Sequence, residues 1–248
     1  MEQHTAAAFP ATRWSVVLQA RQDASPDQGR AALEELCRQY WFPLYAFARR
    51  RGLPSADAED LTQSFFAELL TARLFEAADP AQGRLRTFLL TAFQRRLADH
   101  HRREHALKRG GGLQIISIDL DAAEGRLRVE PADHETPESA FEVRWAVALL
   151  EAAMTRLEQE YAAEGKPAHF EALRPFLTAA QTHGEGYAEL AGQLQLTKMA
   201  ARQAVHRMRE RFRQILRHCV LDTLRDPTPA AVEEELTALK LALARSGV

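Results

Sequence analysis

The side chains in this sequence that are best suited to binding a charged partner lie along one basic helix that begins at Lys198. Apolar residues recur there at spacings of three and four, which predicts a single buried helical face. The opposite face carries cationic and amide side chains, which bind phosphate oxygens and the edges of bases. The candidate DNA-binding residues on that face are Lys198, Arg202, Gln203, His206 and Arg207.

A short helix and a tight turn are expected to position the basic helix. The sequence predicts a first helix over residues 187–194, a turn at Gln195 and Leu196, and Thr197 as the N-cap of the second helix. Two helices joined by such a turn, the second cationic at its start, form the helix-turn-helix arrangement that reads the DNA major groove. Gln195 departs from the pattern, because glycine is favoured where φ is positive, and we expect a cost on the order of 1 kcal/mol.

The distribution of charge favours a nucleic-acid partner more than the net charge of −2 does. Residues 84–109 carry eight basic side chains against two acidic ones, and residues 197–218 carry seven against one. Between them, residues 119–142 carry eight acidic side chains against two basic ones. We therefore expect two surfaces that bind the phosphate backbone, and an acidic segment that covers these surfaces when DNA is absent.

Two further pairs of residues have spacings that catalysis or metal binding could use. Asp57 and Asp60 fall in the first turn of a predicted helix, where acidic side chains complement the positive helix end. A catalytic pair is disfavoured, because no histidine, lysine or metal ligand lies nearby in the sequence. His101 and His105 have the i, i+4 spacing of a zinc site, but neither a third ligand nor an HExxH pattern accompanies them. The sequence also has no nucleotide-binding or nucleophile motif, so it predicts no enzyme, no metal site and no cofactor.

The composition predicts an all-α protein with two helical domains. Alanine, leucine, arginine and glutamate dominate, whereas β-branched residues are few. A long stretch without helical periodicity predicts a flexible linker over residues 107–137. We expect domains over residues 12–106 and 138–218, followed by a C-terminal helical extension over 219–248. Its final helix, over 230–244, is expected either to pack on the second domain or to present a partner surface.

The cysteines and the apolar segments indicate the compartment. Cys37 and Cys219 are far apart in the sequence and form no CxxC pattern, which favours a reducing cytoplasm. The sequence shows no signal peptide at its start and no apolar run long enough to span a membrane, so we expect a cytoplasmic protein without a membrane partner.

Several segments together resemble one family. They are TRWSVVL at 12–18, YWFPLYAFARRRG at 40–52, DAEDLTQSFFAELL at 57–70, GRLRTFLLTAF at 83–93, KRGGG at 108–112, RWAVALL at 144–150, FEALRPFL at 170–177 and the helix-turn-helix. In this layout the chain resembles RNA polymerase sigma factors of the extracytoplasmic-function type, which have only regions 2 and 4 of the sigma-70 family. More narrowly, it is similar to the branch with long linkers and C-terminal extensions found in Planctomycetes and Verrucomicrobia.

The resemblance implies a transcription initiation factor that lends promoter recognition and strand opening to core RNA polymerase and catalyses nothing by itself. It implies that the DAEDLTQ helix docks on the β′ coiled coil, that region 4 contacts the β flap, and that the free protein is a monomer. An anti-sigma partner is left open. The residues implied to bind core polymerase are Asp57, Asp60 and Gln63.

The resemblance also assigns the two DNA elements. The loop over residues 77–83 matches the one that holds a flipped base of the −10 element, and the helix from Lys198 matches the reader of the −35 element. Met199 and Ala201 stand where relatives commonly have Gly and Val. The residues implied to meet the −10 element are Gln94, Arg95, Arg102 and Arg103.

Two other functions remain as alternatives. The first is a stand-alone helix-turn-helix transcriptional regulator that acts without core polymerase, which would be expected to dimerise on two half-sites. The second is a metal-dependent nuclease that uses His101 and His105.

Overall fold

A computed structural model of the protein describes residues 26–70, 84–104, 136–178, 184–224 and 227–246. The regular elements in these ranges are all α-helices, which confirms the all-α prediction. They are α1 (Pro26–Arg50), α2 (Ser55–Leu70), α3 (Leu85–Glu104), α4 (Pro137–Ala163), α5 (Pro167–Leu173), α6 (Pro175–Thr178), α7 (Gly184–Gln193), α8 (Lys198–Leu221) and α9 (Pro229–Ser246).

The chain divides into two compact units. The first comprises residues 1–148 and 220–248, and the second comprises residues 149–219. The first unit thus contains α1 to α3, the start of α4 and the whole of α9. The C-terminal helix belongs to the first unit, whereas the sequence placed it on the second domain or left it as a partner surface. The expected functional domain bounds are not the same as these units and remain proposals.

The core of the first unit is rich in aromatic side chains. Tyr40, Tyr45 and Phe47 of α1 are fully buried. The ring of Phe93 on α3 meets Phe65 of α2 edge to face, with the centroids 5.2 Å apart and the planes at 84°. Edge-to-face pairs bring the positive ring edge to the negative ring face, so they fix the angle between helices as well as burying area.

The second unit has a smaller core. Leu157 of α4, Phe170 of α5 and Leu190 of α7 are buried, together with one face of α8. Pro175 separates α5 from α6, because proline cannot continue the hydrogen-bond ladder of the preceding turn.

Three helices in the described chain end in the same left-handed turn. After α1, the amide of Leu53 donates to the carbonyl of Ala48 at 3.2 Å, and Gly52 has φ of 93°. After α4, the amide of Lys166 donates to Tyr161 at 2.8 Å, and Gly165 has φ of 71°. In this Schellman motif an amide just past the helix donates to a carbonyl of the last helical turn. The residue before that amide has a positive φ, which favours glycine.

Several expected features lie outside the described residues. They are the segment 12–18, the flipped-base loop at 77–83, the KRGGG run, His105 and nearly all of the linker over 107–137. No helix among the described residues is long and apolar enough to cross a membrane.

Candidate DNA and polymerase interfaces

The turn between α7 and α8 has the geometry of a helix-turn-helix corner. The amide of Leu196 donates to Ala191 at 2.9 Å and that of Gln195 to Gly192 at 3.3 Å, which is the third Schellman pair. Gln195 has φ of 53°, so the sequence was right that this position requires a positive φ. The hydroxyl of Thr197 then accepts from the amide of Ala200 at 3.2 Å and caps α8, as predicted.

The two faces of α8 divide as the periodicity predicted. Ala201, Val205 and Met208 are buried against the second unit, with at most 3 % of their surface exposed. The structure brings all five candidate −35 residues to the solvent side of this helix. They are Lys198, Arg202, Gln203, His206 and Arg207, each of them exposed.

Other basic residues of α8 have structural roles within the second unit. The guanidinium of Arg209 donates to the carbonyl of Phe176 at 3.0 and 2.6 Å. Arg211 is held by Glu160 of α4, whose hydrogen bond raises the pKa of the guanidinium. The charge count over residues 197–218 therefore overstates the cationic surface that this helix offers to DNA.

One DNA-binding candidate is already engaged inside the second unit. The guanidinium carbon of Arg202 lies 5.4 Å from the ring centroid of Tyr187 on α7. Tyr187 in turn packs against Phe176, with their centroids 5.5 Å apart. This cation–π contact is worth on the order of 1 kcal/mol and orients Arg202 towards the first helix of the motif.

In the first unit, α3 presents the residues assigned to the −10 element. Arg95 and Arg102 are exposed, and Gln94 is half-buried. Arg102 pairs with Asp99 one turn earlier on the same helix. The side-chain amide of Gln94 donates to Glu138 of α4 at 3.2 Å. Arg103 belongs to α3, but its side chain lies outside what the structure describes.

The acidic end of α2 is the candidate surface for a basic partner. Asp60 is exposed and Asp57 is half-buried in the first turn. Gln63 is only 5 % exposed, and its amide donates to Glu59 at 2.9 Å. Gln63 thus lies on the broad buried side of α2 and positions Glu59, rather than facing solvent as its assigned role requires.

The family comparison concerns α2, α3 and the second half of α1. Residues 36–106 match the family model of Sigma-70 region 2. This stretch is similar to region 2 of the sigma-70 family. This match supports a sigma-70 family RNA polymerase sigma factor, with a role in promoter recognition and transcription initiation. No curated protein and no solved structure matches the chain.

The first unit holds the C-terminal helix through a buried ion pair that sequence reasoning missed. Arg86 at the start of α3 is 7 % exposed, and Glu235 of α9 is fully buried. The Nε and Nη2 atoms of Arg86 donate to the two carboxylate oxygens of Glu235 at 2.6 and 3.1 Å. Burial by itself lowers the pKa of Arg86, but the hydrogen bond and charge of Glu235, with the charge of Glu142, outweigh it and raise that pKa.

Neighbouring contacts extend this attachment, which we call the α3–α9 clamp and define by Arg84, Arg86, Glu234 and Glu235. Arg84 donates to Glu234 at 2.8 Å, and the amide of Leu85 donates to the carbonyl of Thr223 at 3.1 Å. The guanidinium of Arg86 also lies over the ring of Trp145, 4.6 Å from its centroid. Arg84 and Arg86 belong to the basic segment 84–109, so two of its cations serve this clamp.

The signal for the clamp was present in each helix separately. Glu235 stands in line with Val232, Leu239 and Ala242 on the buried stripe of α9, and Arg86 stands in line with Leu89 and Phe93 on α3. A charge on an apolar stripe predicts a buried partner of opposite sign, because an unpaired buried charge is costly.

Among the described residues there is no group of three or more histidine, cysteine or acidic side chains that could hold a metal ion. His101 is exposed on α3. The other half of the candidate pair, His105, lies outside these residues.

Proposed function

We propose that the protein is a sigma factor of the extracytoplasmic-function type, which joins core RNA polymerase through α2 and reads promoter DNA with α3 and α8. The observation that carries this proposal is the match of residues 36–106 to Sigma-70 region 2. The helix-turn-helix of the second unit supplies the second DNA-reading element that such a factor requires. The proposal also includes region 4 function for the second unit, the β′ coiled coil and the β flap as partners, and a monomeric free protein.

The polymerase surface is assigned to the acidic start of α2. Asp57 and Asp60 are one helical turn apart, and the hydroxyl of Tyr45 shares a 3.0 Å hydrogen bond with Ser55 that holds this turn on α1. Fixed acids meeting a basic partner steer association and fix register. Glu59, held by Gln63, adds a third carboxylate to the same end of the helix.

The DNA surfaces are assigned to the exposed sides of α3 and α8. Arg95 and Arg102 supply positive charge near the −10 element, and Gln94 supplies an amide that can reach a base or the backbone. On α8, the exposed start of the second helix of the motif is the part that meets base edges in the major groove. Each phosphate contact should make binding weaker at higher salt.

The test is co-purification of the full chain with core RNA polymerase. Asp57→Ala/Asp60→Ala should weaken retention of core at least tenfold, because it removes both charges from the docking turn. The matched control is Glu151→Ala/Glu158→Ala, which removes two exposed acids from α4 in the second unit and should leave retention unchanged. Tryptophan fluorescence of each variant confirms that the first unit is folded.

The outcomes separate the proposal from its alternative. Loss of core binding in the α2 variant alone supports the assignment. If the wild type fails to bind core and forms a dimer on DNA with two half-sites, the protein is a stand-alone helix-turn-helix regulator instead.

A further inference from the structure

Large hydrophobic side chains are exposed at only three positions in the described chain, and two of them surround the helix-turn-helix corner. Leu196 is 37 % exposed and Met199 is 66 % exposed, whereas the third, Leu241, lies on α9 in the other unit. Met199 is the most exposed of the three. An apolar side chain at the start of a DNA-reading helix calls for a partner group that is itself apolar.

Met199 lies at the centre of the exposed face of α8. Successive residues of an α-helix turn by about 100°, so Arg202, Gln203 and His206 share its side of the helix at i+3, i+4 and i+7. The buried residues Ala201 and Val205 lie on the opposite side. Met199 is therefore surrounded by the polar side chains assigned to base reading, rather than lying at the edge of the surface.

Its neighbours leave room for Met199 to contact a base. Arg202 leans towards α7, since its guanidinium lies over Tyr187. The first turn of α8 is fixed by the Thr197 cap and by the Schellman turn before it, so the backbone that carries Met199 is held in place. In helix-turn-helix proteins the N-terminal residues of the second helix contact base edges.

We propose that Met199 reads thymine in the upstream promoter element by packing its thioether against the C5-methyl group. Among the groups that the four bases present in the major groove, the thymine methyl is the apolar one. The methionine side chain is flexible and polarisable, so it can adapt to a methyl group at the end of its reach. This inference rests on the proposed role of α8 as the reader of the −35 element and adds to it one residue and one base.

The test uses holoenzyme reconstituted from the full chain and core polymerase. Promoter DNA is selected from a library randomised upstream of the start site, and the protected upstream element is mapped by footprinting. Each thymine of that element is then replaced in turn by deoxyuridine, which removes the C5-methyl group and leaves base pairing intact. Wild type should lose about fourfold in affinity at one such position, the effect of exposing one methyl-sized apolar group.

Met199→Ala should bind the thymine and uracil duplexes equally, and should bind both about as weakly as wild type binds the uracil duplex. Because Met199 is exposed and alanine is a good helix former, this variant should keep its helical content and melting temperature. Leu241→Ala is the matched control, since it also shortens an exposed hydrophobic side chain and should retain the full thymine preference.

The possible failures are distinguishable. If the holoenzyme protects no upstream element, the −35 role of α8 is wrong and the inference falls with it. If the element is protected but contains no thymine, or if uracil binds as well as thymine, only the role of Met199 is wrong. A thymine preference that persists in Met199→Ala also overturns it, because another residue then reads the methyl group.

Discussion

Glu235 binds two donor atoms on one edge of the Arg86 guanidinium across 149 residues of sequence, with its carboxylate oxygens 2.6 Å from Nε and 3.1 Å from Nη2. The pair fastens the C-terminal helix to the start of the helix that carries the −10 candidates. Planar guanidinium and carboxylate groups match in this two-bond geometry, which fixes direction as well as distance. The C-terminal helix is therefore an integral part of the first unit.

Removing the acid from the α3–α9 clamp should destabilise the first unit strongly. Glu235→Ala leaves the buried Arg86 with Glu142 alone, at 3.2 Å, so we expect a loss of about 3 kcal/mol in the free energy of unfolding. Urea denaturation followed by tryptophan fluorescence measures it, because Trp14, Trp41 and Trp145 all fall within the sequence range of the first unit.

The control for that experiment is Glu234→Ala. The Glu234 side chain is 66 % exposed in its pair with Arg84, so its loss should change the free energy of unfolding by less than about 1 kcal/mol. Arg86→Met/Glu235→Leu should recover part of the loss, since it removes both buried charges together. Equal effects of the two single glutamate substitutions would contradict the burial argument.

Replacing Gln195 with glycine and replacing Gly165 with alanine should change the stability of the second unit in opposite directions. Gln195→Gly should stabilise the second unit by up to about 1 kcal/mol, because φ of 53° strains a residue with a Cβ atom. Gly165→Ala should destabilise it by at least about 1 kcal/mol. A Cβ at Gly165 meets nothing within 4 Å, so that cost is conformational rather than steric.

Hydrogen exchange of the amides of α8 measures both effects within the second unit. Gln195→Ala is the control, since alanine keeps the Cβ atom and should leave exchange nearly unchanged. If Gln195→Gly accelerates exchange, the gain in unfolded-state entropy from glycine outweighs the relief of strain.

Releasing Gln94 from Glu138 should strengthen DNA binding by the first unit. Glu138 belongs to the acidic segment 119–142, and its carboxylate accepts from Gln94 at 3.2 Å and pairs with Arg51 at 2.5 Å. Glu138→Ala should raise the affinity of the free full chain for a −10 duplex with an unpaired strand by a fewfold, because it frees the Gln94 amide and removes a negative charge beside α3. Fluorescence anisotropy at fixed salt measures this.

The matched control is Glu151→Ala on the same helix, which removes one exposed acid from the second unit and should leave that affinity unchanged. An unchanged affinity in Glu138→Ala would show that this contact does not shadow the DNA surface. If deletion of residues 119–135 also leaves the affinity for this DNA unchanged, the acidic segment does not cover the DNA-binding surfaces of the free protein.

Cys37 should be inert to alkylation in the folded protein. Burial, with the charge of Glu34 adding to it, raises the pKa of its thiol from 9.0 to about 12. At pH 8 the reactive thiolate is therefore about a thousandfold scarcer than in the unfolded chain. In Cys219→Ser, iodoacetamide should modify Cys37 only after urea is added, as mass spectrometry can show.

The raised pKa of Cys37 also determines the direction in which stability changes with pH. A raised pKa in the fold means that the native state keeps the thiol proton while the unfolded state loses it above pH 9. The contribution of Cys37 is thus fully present below pH 9 and is lost as pH rises from 9 towards 12. In Cys37→Ala the free energy of unfolding should therefore change less between pH 9 and pH 12 than it does in the wild type.

The sequence by itself determined the helices, their caps and the faces they bury. The spacing of Ala201, Val205 and Met208 predicted the buried side of α8, and the exposed positions of the five candidates followed from it. The positive φ at Gln195 and the Thr197 cap were also predicted, because these are local features of a few consecutive residues.

The tertiary structure alone decided which charges are available. Arg209 looks like a surface cation in the sequence, yet it binds the carbonyl of Phe176. Arg86 lies on the apolar stripe of α3, but only the fold shows that Glu235 is the acid that neutralises it. Periodicity shows which face a residue occupies, but the partner that neutralises a charge comes from a helix far away in the sequence, and only folding brings the two together.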